Sequence, residues 1–211
     1  MKYIFLDFDG VLHTMNDYMR SENLFQYNHN LMSMLKKIKE KHDDITIVFS
    51  TSWRLDFNID YLKKMLGNEI CTLVKEFDTT VLKNYKSIIG YLEYADEPEY
   101  QNNRYEEISE YLENKKIKFG DYVVIDDSFD LFFKVHKIDD KKYDVIPLIM
   151  DSILLMEISE DFTNYNGENI FNELTEKEKE FNKSFINTFK IDFGESYLSE
   201  DDVEKAIKIL N

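Results

Sequence analysis

The sequence has few residues of the kinds that cross-link or interrupt a chain. Its single cysteine, Cys71, excludes an internal disulfide and is typical of a protein in a reducing cytoplasm. Two prolines and six glycines leave no Pro/Gly-rich linker, and no repeat or low-complexity tract divides the chain. We therefore expect one cytoplasmic domain over residues 1–211.

Long apolar runs are also missing, and the four histidines lack metal-ligand spacing. No run is long enough to cross a bilayer, and Lys2 leads at once into a strand-like segment without a small-residue cleavage site. We therefore expect neither a signal peptide nor a membrane partner, and the scattered histidines argue against zinc. A hydrophobic content of 43% with 15% aromatic residues indicates a packed core.

Basic residues are scarce, and the formal charge is −16. Residues 121–211 account for most of it, with 10 Lys and Arg against 22 Asp and Glu. This balance disfavours non-specific binding along a phosphate backbone, but it leaves open recognition of a single nucleic-acid end by the less acidic half. We interpret the acids as a solvated surface rather than an acidic binding face.

Three apolar segments have the pattern of buried parallel strands: Lys2–Leu6, Ile45–Phe49 and Tyr122–Ile125. Between these strands, residues 31–41 and 104–114 have apolar residues at helical spacing and predict two helices. This alternation predicts a three-layer, Rossmann-like α/β fold with a central parallel sheet. Because ligands bind beyond the carboxyl ends of such strands, we expect the polar residues that follow each segment to converge there.

The remaining chain is less regular. Residues 185–191 predict a strand, and residues 198–210 predict a helix with a capping box formed by Ser199 and Asp202. We interpret residues 131–184, with an apolar stretch at 144–156 and a charged helix at 173–183, as an acidic insertion into the domain.

Two carboxylates, Asp7 and Asp9, follow the first strand, and Gly10 lets the backbone turn sharply after them. Clustered carboxylates repel one another and resist desolvation, so their position indicates chemistry rather than folding. A carboxylate can attack phosphorus when a metal offsets the repulsion between the anions. A second acid two residues on can protonate the leaving oxygen and then activate water. The alternative is a metal-binding or solvated acidic turn.

Hydroxyl groups follow the second strand. Ser50, Thr51 and the backbone amides there can hold a phosphoryl oxygen, although a helix N-cap also favours Ser or Thr. Arg54, further along the same loop, can reach a substrate phosphate or form a surface salt bridge.

Adjacent acids, Asp126 and Asp127, follow the third strand, where they are costly unless they bind a cation. Phosphoryl transfer also needs a basic residue to hold the nucleophile and the phosphoryl group together. We predict Arg104 for this role, with Lys83 and Lys86 as alternatives. A solvated arginine at a helix start is the competing interpretation.

These residues resemble the haloacid dehalogenase-like (HAD) superfamily of phosphotransferases. The resemblance is carried by Leu6-Asp-Phe-Asp-Gly-Val-Leu12, Val48-Phe-Ser50 and Val124-Ile-Asp-Asp127. It implies a phosphatase with Asp7 as nucleophile, Asp9 as general acid and base, and Gly10 beside the bound phosphate. It also implies Mg²⁺ held by Asp7, the Asp9 carbonyl and the pair Asp126 and Asp127. The superfamily normally has lysine where Arg104 stands.

A narrower resemblance is to the HAD domains of bacterial and phage Swiss Army Knife RNA-repair systems. It is carried by Ser50-Thr-Ser-Trp-Arg54, Arg104-Tyr-Glu-Glu-Ile108 and the segment from Tyr197 to Leu210. Residues 131–184 depart from it. Cap modules select the substrate in this superfamily, and only residues 55–103 have room for a small cap. The resemblance therefore implies an open site that admits an RNA or DNA terminal phosphate, near which His13 contacts either the substrate or local backbone.

Two alternatives remain open from the sequence. One is a phosphatase of the same chemistry that acts on a small metabolite or nucleotide, with residues 55–103 or 131–184 closing over the site. The other is a non-catalytic, metal-binding regulatory domain, which the arginine in place of lysine favours and the retention of all four acids disfavours.

Overall fold

A computed structural model of the protein describes residues 1–20, 24–81, 84–86, 100–102, 104–127, 133–137, 143–147, 174–190 and 195–211. The chain divides into two compact units. The first comprises Met1–Thr80, Lys115–Ser128 and Lys183–Asn211, and the second comprises Val81–Asn114 and Phe129–Asn182. The prediction of a single domain with a small cap at 55–103 and an insertion at 131–184 stays a prediction, because much of both regions lies outside the described residues.

The described strands, in chain order, are β1 (Lys2–Leu6), β2 (Ile45–Phe49), β3 (Glu76–Thr79), β4 (Asn84–Lys86), β5 (Tyr100–Asn102), β6 (Tyr122–Asp126), β7 (Phe133–Lys137), β8 (Tyr143–Pro147), β9 (Phe185–Asn187), β10 (Phe189–Lys190) and β11 (Glu195–Ser196). The described helices are α1 (Met15–Arg20), α2 (Asn28–Lys39), α3 (Ile59–Leu66), α4 (Asn68–Leu73), α5 (Arg104–Lys115), α6 (Glu176–Lys183) and α7 (Glu200–Leu210). A short 3₁₀ helix covers Ser52–Leu55.

A five-stranded parallel sheet with the order β3-β2-β1-β6-β9 forms the centre of the first unit. Helices flank this sheet, which confirms the predicted three-layer, Rossmann-like α/β fold. The three predicted strands β1, β2 and β6 are its middle strands. Every residue of β2 and β6 is buried, because these strands have neighbours on both edges and helices against their faces.

Apolar side chains of the central strands and of α2, α3, α4 and α7 form one buried cluster in the first unit. Four of the side chains that fill it come from α2, at helical spacing along one face of that helix: Leu31, Met34, Leu35 and Ile38. Helix α7 begins with the predicted capping box, in which Asp202 N donates to Ser199 Oγ at 3.3 Å and Ser199 N donates to Asp202 Oδ2 at 3.0 Å. Because Ser199 is the N-cap, α7 begins at Glu200 and not at Leu198.

The prediction of one strand over residues 185–191 is wrong. Strand β9 ends at Asn187, and Phe189–Lys190 instead pairs antiparallel with β11 in a separate two-stranded sheet. Thr188 separates the two strands. Its hydroxyl donates to the Gly10 carbonyl at 2.7 Å, and Asn187 Oδ1 accepts from Phe189 N.

The second unit contains two antiparallel pairs, β4 with β5 and β7 with β8. Helix α5 spans Arg104–Lys115, close to the predicted helix over 104–114, and α6 spans Glu176–Lys183 inside the predicted charged helix. The Tyr105 and Phe181 rings of these two helices meet edge to face at 4.9 Å. None of the described helices combines the length and the apolar character that a bilayer crossing requires.

Candidate active site

The polar residues at the ends of β1, β2 and β6 converge at one edge of the sheet. Leu6, the last residue of β1, lies opposite Phe49 of β2 and Ile125 of β6. Ser50 N donates to the Leu6 carbonyl and Asp7 N donates to the Ile125 carbonyl, both at 3.1 Å. The parallel register therefore places Asp7 between Ser50 and Asp126, and the polar residues after the three strands converge as predicted.

Three carboxylates meet at this edge. One oxygen from each of Asp7, Asp126 and Asp127 lies within 4.8 Å of the others, and Asp7 and Asp126 are buried. The Phe8 backbone N–H donates to Asp7 Oδ1 at 2.8 Å and orients that side chain. Three carboxylates so close together repel one another unless a cation lies between them, and an all-oxygen donor set suits Mg²⁺. The cluster therefore fits the predicted magnesium site.

Gly10 gives Asp127 the space it occupies. Its φ is +64°, and a Cβ atom at this position would lie 2.0 Å from Asp127 Oδ2. A side chain is therefore excluded both by the backbone conformation and by the neighbouring carboxylate. The described contacts of Gly10 are with Asp127 and Thr188, so its predicted place beside a bound phosphate stays a prediction.

Asp9, the predicted general acid and base, is held by two ring nitrogens. Trp53 Nε1 donates to Asp9 Oδ2 at 2.9 Å, and His13 Nε2 lies 3.1 Å from Asp9 Oδ1. The Asp9 side chain is 38% exposed, so it is accessible to a substrate while its orientation is fixed. His13 Nδ1 also lies 3.3 Å from the Thr14 carbonyl, which agrees with its predicted contact with local backbone.

His13 is a buried histidine next to acidic residues. Burial by itself lowers the pKa of the imidazole, but the contact with Asp9, the Thr14 carbonyl and the negative charges of Asp9 and Asp7 together raise the pKa above its usual value. When His13 is protonated, its positive charge offsets part of the negative charge around Asp9.

The loop after β2 begins with a buried hydroxyl group and the N-cap of the 3₁₀ helix. Ser50 is fully buried, and its Oγ has no hydrogen-bond partner among the described residues. Because a buried hydroxyl normally has a partner, this one is available to a ligand oxygen. Thr51 is the N-cap of the 3₁₀ helix and accepts from Trp53 N at 3.3 Å, so the competing N-cap role belongs to Thr51 and not to Ser50.

Arg54 folds back on its own loop. Its Nη1 donates to the Ser50 carbonyl at 2.7 Å and to the Thr51 carbonyl. These bonds fix the path of the loop that presents Ser50. A contact of Arg54 with a substrate phosphate stays a prediction.

Arg104 begins helix α5 in the second unit, where it is 4% exposed. This burial excludes the interpretation of Arg104 as a solvated surface residue. Its predicted role with the nucleophile stays a prediction. Of the two alternatives, Lys83 lies outside the described residues and Lys86 ends strand β4.

Three contacts at the site were not predicted from the sequence. Trp53 donates to Asp9, and Thr188 donates to the Gly10 carbonyl. His13 lies next to Asp9, although the sequence predicted for it only a contact with the substrate or with local backbone. The position of Trp53 three residues after Ser50 indicated that it lies near the same sheet edge, but it did not indicate the contact with Asp9. Thr188 had no such signal, since it lies 178 residues from Gly10 along the chain.

When the sequence is compared with known protein families, one family matches it. A family model described as "HAD domain in Swiss Army Knife RNA repair proteins" matches residues 3–143, a segment that includes all nine predicted site residues. No curated protein and no solved structure matches the chain.

Proposed function

The chain belongs to the family of HAD domains in Swiss Army Knife RNA repair proteins, and we propose that it is a Mg²⁺-dependent phosphomonoesterase acting through an aspartyl phosphate on Asp7. Membership of the family indicates hydrolase chemistry of the HAD type. The observation that carries the finer proposal is the position of Asp7, which is buried with a carboxylate oxygen within 4.8 Å of one from Asp126 and one from Asp127, and which is followed two residues on by the partly exposed Asp9.

The first half of the reaction is the transfer of a phosphoryl group to Asp7. The Asp7 carboxylate attacks phosphorus, the bond from phosphorus to the leaving oxygen breaks, and Asp9 gives its proton to that oxygen. Ser50 Oγ and the backbone amides after it donate to the phosphoryl oxygens. Trp53 and His13 keep the Asp9 carboxyl in one orientation throughout.

The second half returns Asp7 to its free form. Asp9, now a carboxylate, takes a proton from water, and the resulting hydroxide attacks phosphorus. The bond between phosphorus and Asp7 breaks, and inorganic phosphate leaves. Asp7, Asp126, Asp127 and the Asp9 carbonyl would hold Mg²⁺, which when bound offsets the repulsion between the Asp7 carboxylate and the phosphate.

The proposed substrate is a terminal phosphate on RNA or DNA. The family description names RNA repair, and the proposed open site is compatible with a macromolecular end. The alternative substrate is a small metabolite or nucleotide. A non-catalytic regulatory role is disfavoured because Asp7, Asp9, Asp126 and Asp127 are all present.

Phosphate release with Mg²⁺ tests the proposal. The substrate panel contains an aryl phosphate, nucleotides, sugar phosphates, and oligonucleotides with a 5′- or 3′-phosphate. Asp7→Asn should abolish release, whereas Asp43→Asn, an exposed carboxylate at the opposite end of β2, should leave it unchanged. Equal release by wild-type protein and Asp7→Asn, or no release by folded protein, would contradict the proposed chemistry.

A further inference from the structure

A series of aromatic side chains runs outward from Asp9 along the surface of the first unit. The Trp53 ring, which donates to Asp9, lies 5.9 Å from the Phe57 ring between centroids. The Phe57 and Tyr61 rings are stacked, with centroids 4.5 Å apart and planes at 15°. We call Trp53, Phe57 and Tyr61 the aromatic series.

Local structure holds these rings on one side of the chain. Trp53, Phe57 and Tyr61 are spaced four residues apart, across the 3₁₀ helix and the first turn of α3. Asn58 caps α3, and its Oδ1 accepts from Tyr61 N at 2.9 Å. The start of the helix is thus fixed, and with it the position of Tyr61 against Phe57.

The outer part of the series is exposed. Phe57 is 38% exposed and Tyr61 is 42% exposed, and the neighbouring Leu55 is 50% exposed. A single exposed apolar residue is ordinary, but the Phe57 and Tyr61 rings are stacked on each other and continuous with Trp53, so they form an exposed aromatic patch next to the proposed catalytic acid. Keeping two stacked rings in water is unfavourable, so their exposure beside the site indicates a ligand with flat apolar faces.

We propose that the aromatic series binds the unpaired bases next to the terminal phosphate of a single-stranded nucleic acid. This inference rests on the proposed function, because Trp53 joins the series to the phosphoryl site through Asp9. Nucleobases stack on aromatic side chains whatever their sequence, which suits an enzyme that processes ends.

Stacking also explains how an acidic protein holds a nucleic acid. The formal charge of −16 disfavours binding through a basic surface that tracks the phosphate backbone. Arg54, the basic residue nearest Ser50 in the loop, already donates to two carbonyls of that loop. Binding by stacking uses few phosphate contacts, so its affinity depends weakly on salt.

Leucine substitutions on the outer rings test the proposal, because they keep apolar volume and remove the flat face. In Phe57→Leu and Tyr61→Leu the KM for a phosphorylated single-stranded oligonucleotide should rise by a factor of about 5 to 150, the range for the loss of one stacked base. The KM for ribose 5-phosphate, which has no base, should not change. Tyr61→Phe keeps the ring and should behave as wild type.

Two controls separate stacking from a general effect. Phe119→Leu alters an aromatic residue of the first unit that is 45% exposed and outside the series, and it should leave both KM values unchanged. A wild-type reaction with an oligonucleotide whose terminal nucleotides lack bases should reproduce the rise in KM. An unchanged oligonucleotide KM in both leucine variants, or an equal rise for ribose 5-phosphate, would overturn the proposal.

A binding measurement distinguishes this proposal from the proposed function. The Asp7→Asn variant and its double variants with Phe57→Leu or Tyr61→Leu are titrated into a fluorescent phosphorylated oligonucleotide. Weaker binding in the double variants supports the stacking site even if the wild-type protein hydrolyses nothing. Equal binding by Asp7→Asn and its double variants, or no binding by Asp7→Asn, would overturn the stacking site. Either result is expected if the rings bind a protein instead, and neither bears on the proposed phosphatase chemistry.

Discussion

The indole N–H of Trp53 donates to Asp9 Oδ2 at 2.9 Å, and the opposite carboxylate oxygen lies 3.1 Å from His13 Nε2. Asp9 is therefore held from both sides while 38% of its side chain faces solvent. An acid that must give a proton to a leaving oxygen and then take one from water benefits from a fixed orientation. Trp53 is thus a positioning residue for the proposed reaction.

Trp53→Phe should lower kcat about tenfold for a sugar phosphate and much less for an aryl phosphate. The substitution keeps an aromatic ring but removes the N–H that orients Asp9. A sugar alkoxide needs protonation as it leaves, whereas an activated phenolate does not, so only the poor leaving group depends on the position of the acid. Steady-state kinetics with both substrates provides the measurement. Equal loss on the two substrates would assign Trp53 a structural role instead.

Gly10→Ala should lower both stability and Mg²⁺ binding. A left-handed φ costs a non-glycine residue about 1–2 kcal/mol, and the new Cβ would also displace Asp127. Gly67→Ala is the matched control, because Gly67 has φ +88° but a Cβ atom added there would have no neighbour within 4 Å among the described residues. Thermal unfolding without Mg²⁺ should show a lower melting temperature in both variants. The rise in melting temperature on adding Mg²⁺ should be lost in Gly10→Ala alone. Equal Mg²⁺ effects in both would show that Asp127 does not bind the metal.

The sheet edge was predictable because parallel strands place their carboxyl ends together. Apolar runs ending at Leu6, Phe49 and Ile125 could be identified from composition, and the residues after them had to meet. The edge strand β3, Glu76–Thr79, was not identified, since two of its four residues are acidic and the segment lacks an apolar run.

Contacts that depend on the path of a loop were not predictable. The Trp53 indole reaches Asp9 only because the 3₁₀ helix turns it inward, and spacing along the chain does not specify that turn. Likewise, residues 185–191 predicted a continuous strand, but β9 ends at Asn187 and Phe189–Lys190 pairs with β11 instead. Between these strands, the Thr188 hydroxyl donates to the carbonyl of Gly10, 178 residues away along the chain. Such long-range polar contacts have no local pattern in a sequence.

Ser50→Ala should weaken phosphate binding with little effect on stability. Because Ser50 Oγ has no partner among the described residues, its removal breaks no hydrogen bond observed there. Thr46→Val, in the strand that leads to Ser50, is the matched control, since Thr46 Oγ1 is also buried without a described partner. Competitive inhibition by inorganic phosphate should weaken about tenfold in Ser50→Ala and stay unchanged in Thr46→Val. The same inhibition constant in both variants would remove Ser50 from the phosphoryl site.

Asp126→Asn should have opposite effects on stability in the absence and in the presence of Mg²⁺. Without the ion, the substitution removes one of three carboxylates that lie within 4.8 Å of one another, so repulsion falls and the melting temperature should rise. When the free Mg²⁺ concentration is a hundred times its Kd, the unfolding free energy of the wild-type protein should rise by about 2.7 kcal/mol. The unfolding free energy of Asp126→Asn should rise far less. Thermal unfolding in EDTA and over a Mg²⁺ series measures both effects, with Asp43→Asn as a surface control. A Mg²⁺ gain in Asp126→Asn equal to that of wild type would place the ion elsewhere, because binding at this edge needs the clustered charge that Asp126 supplies.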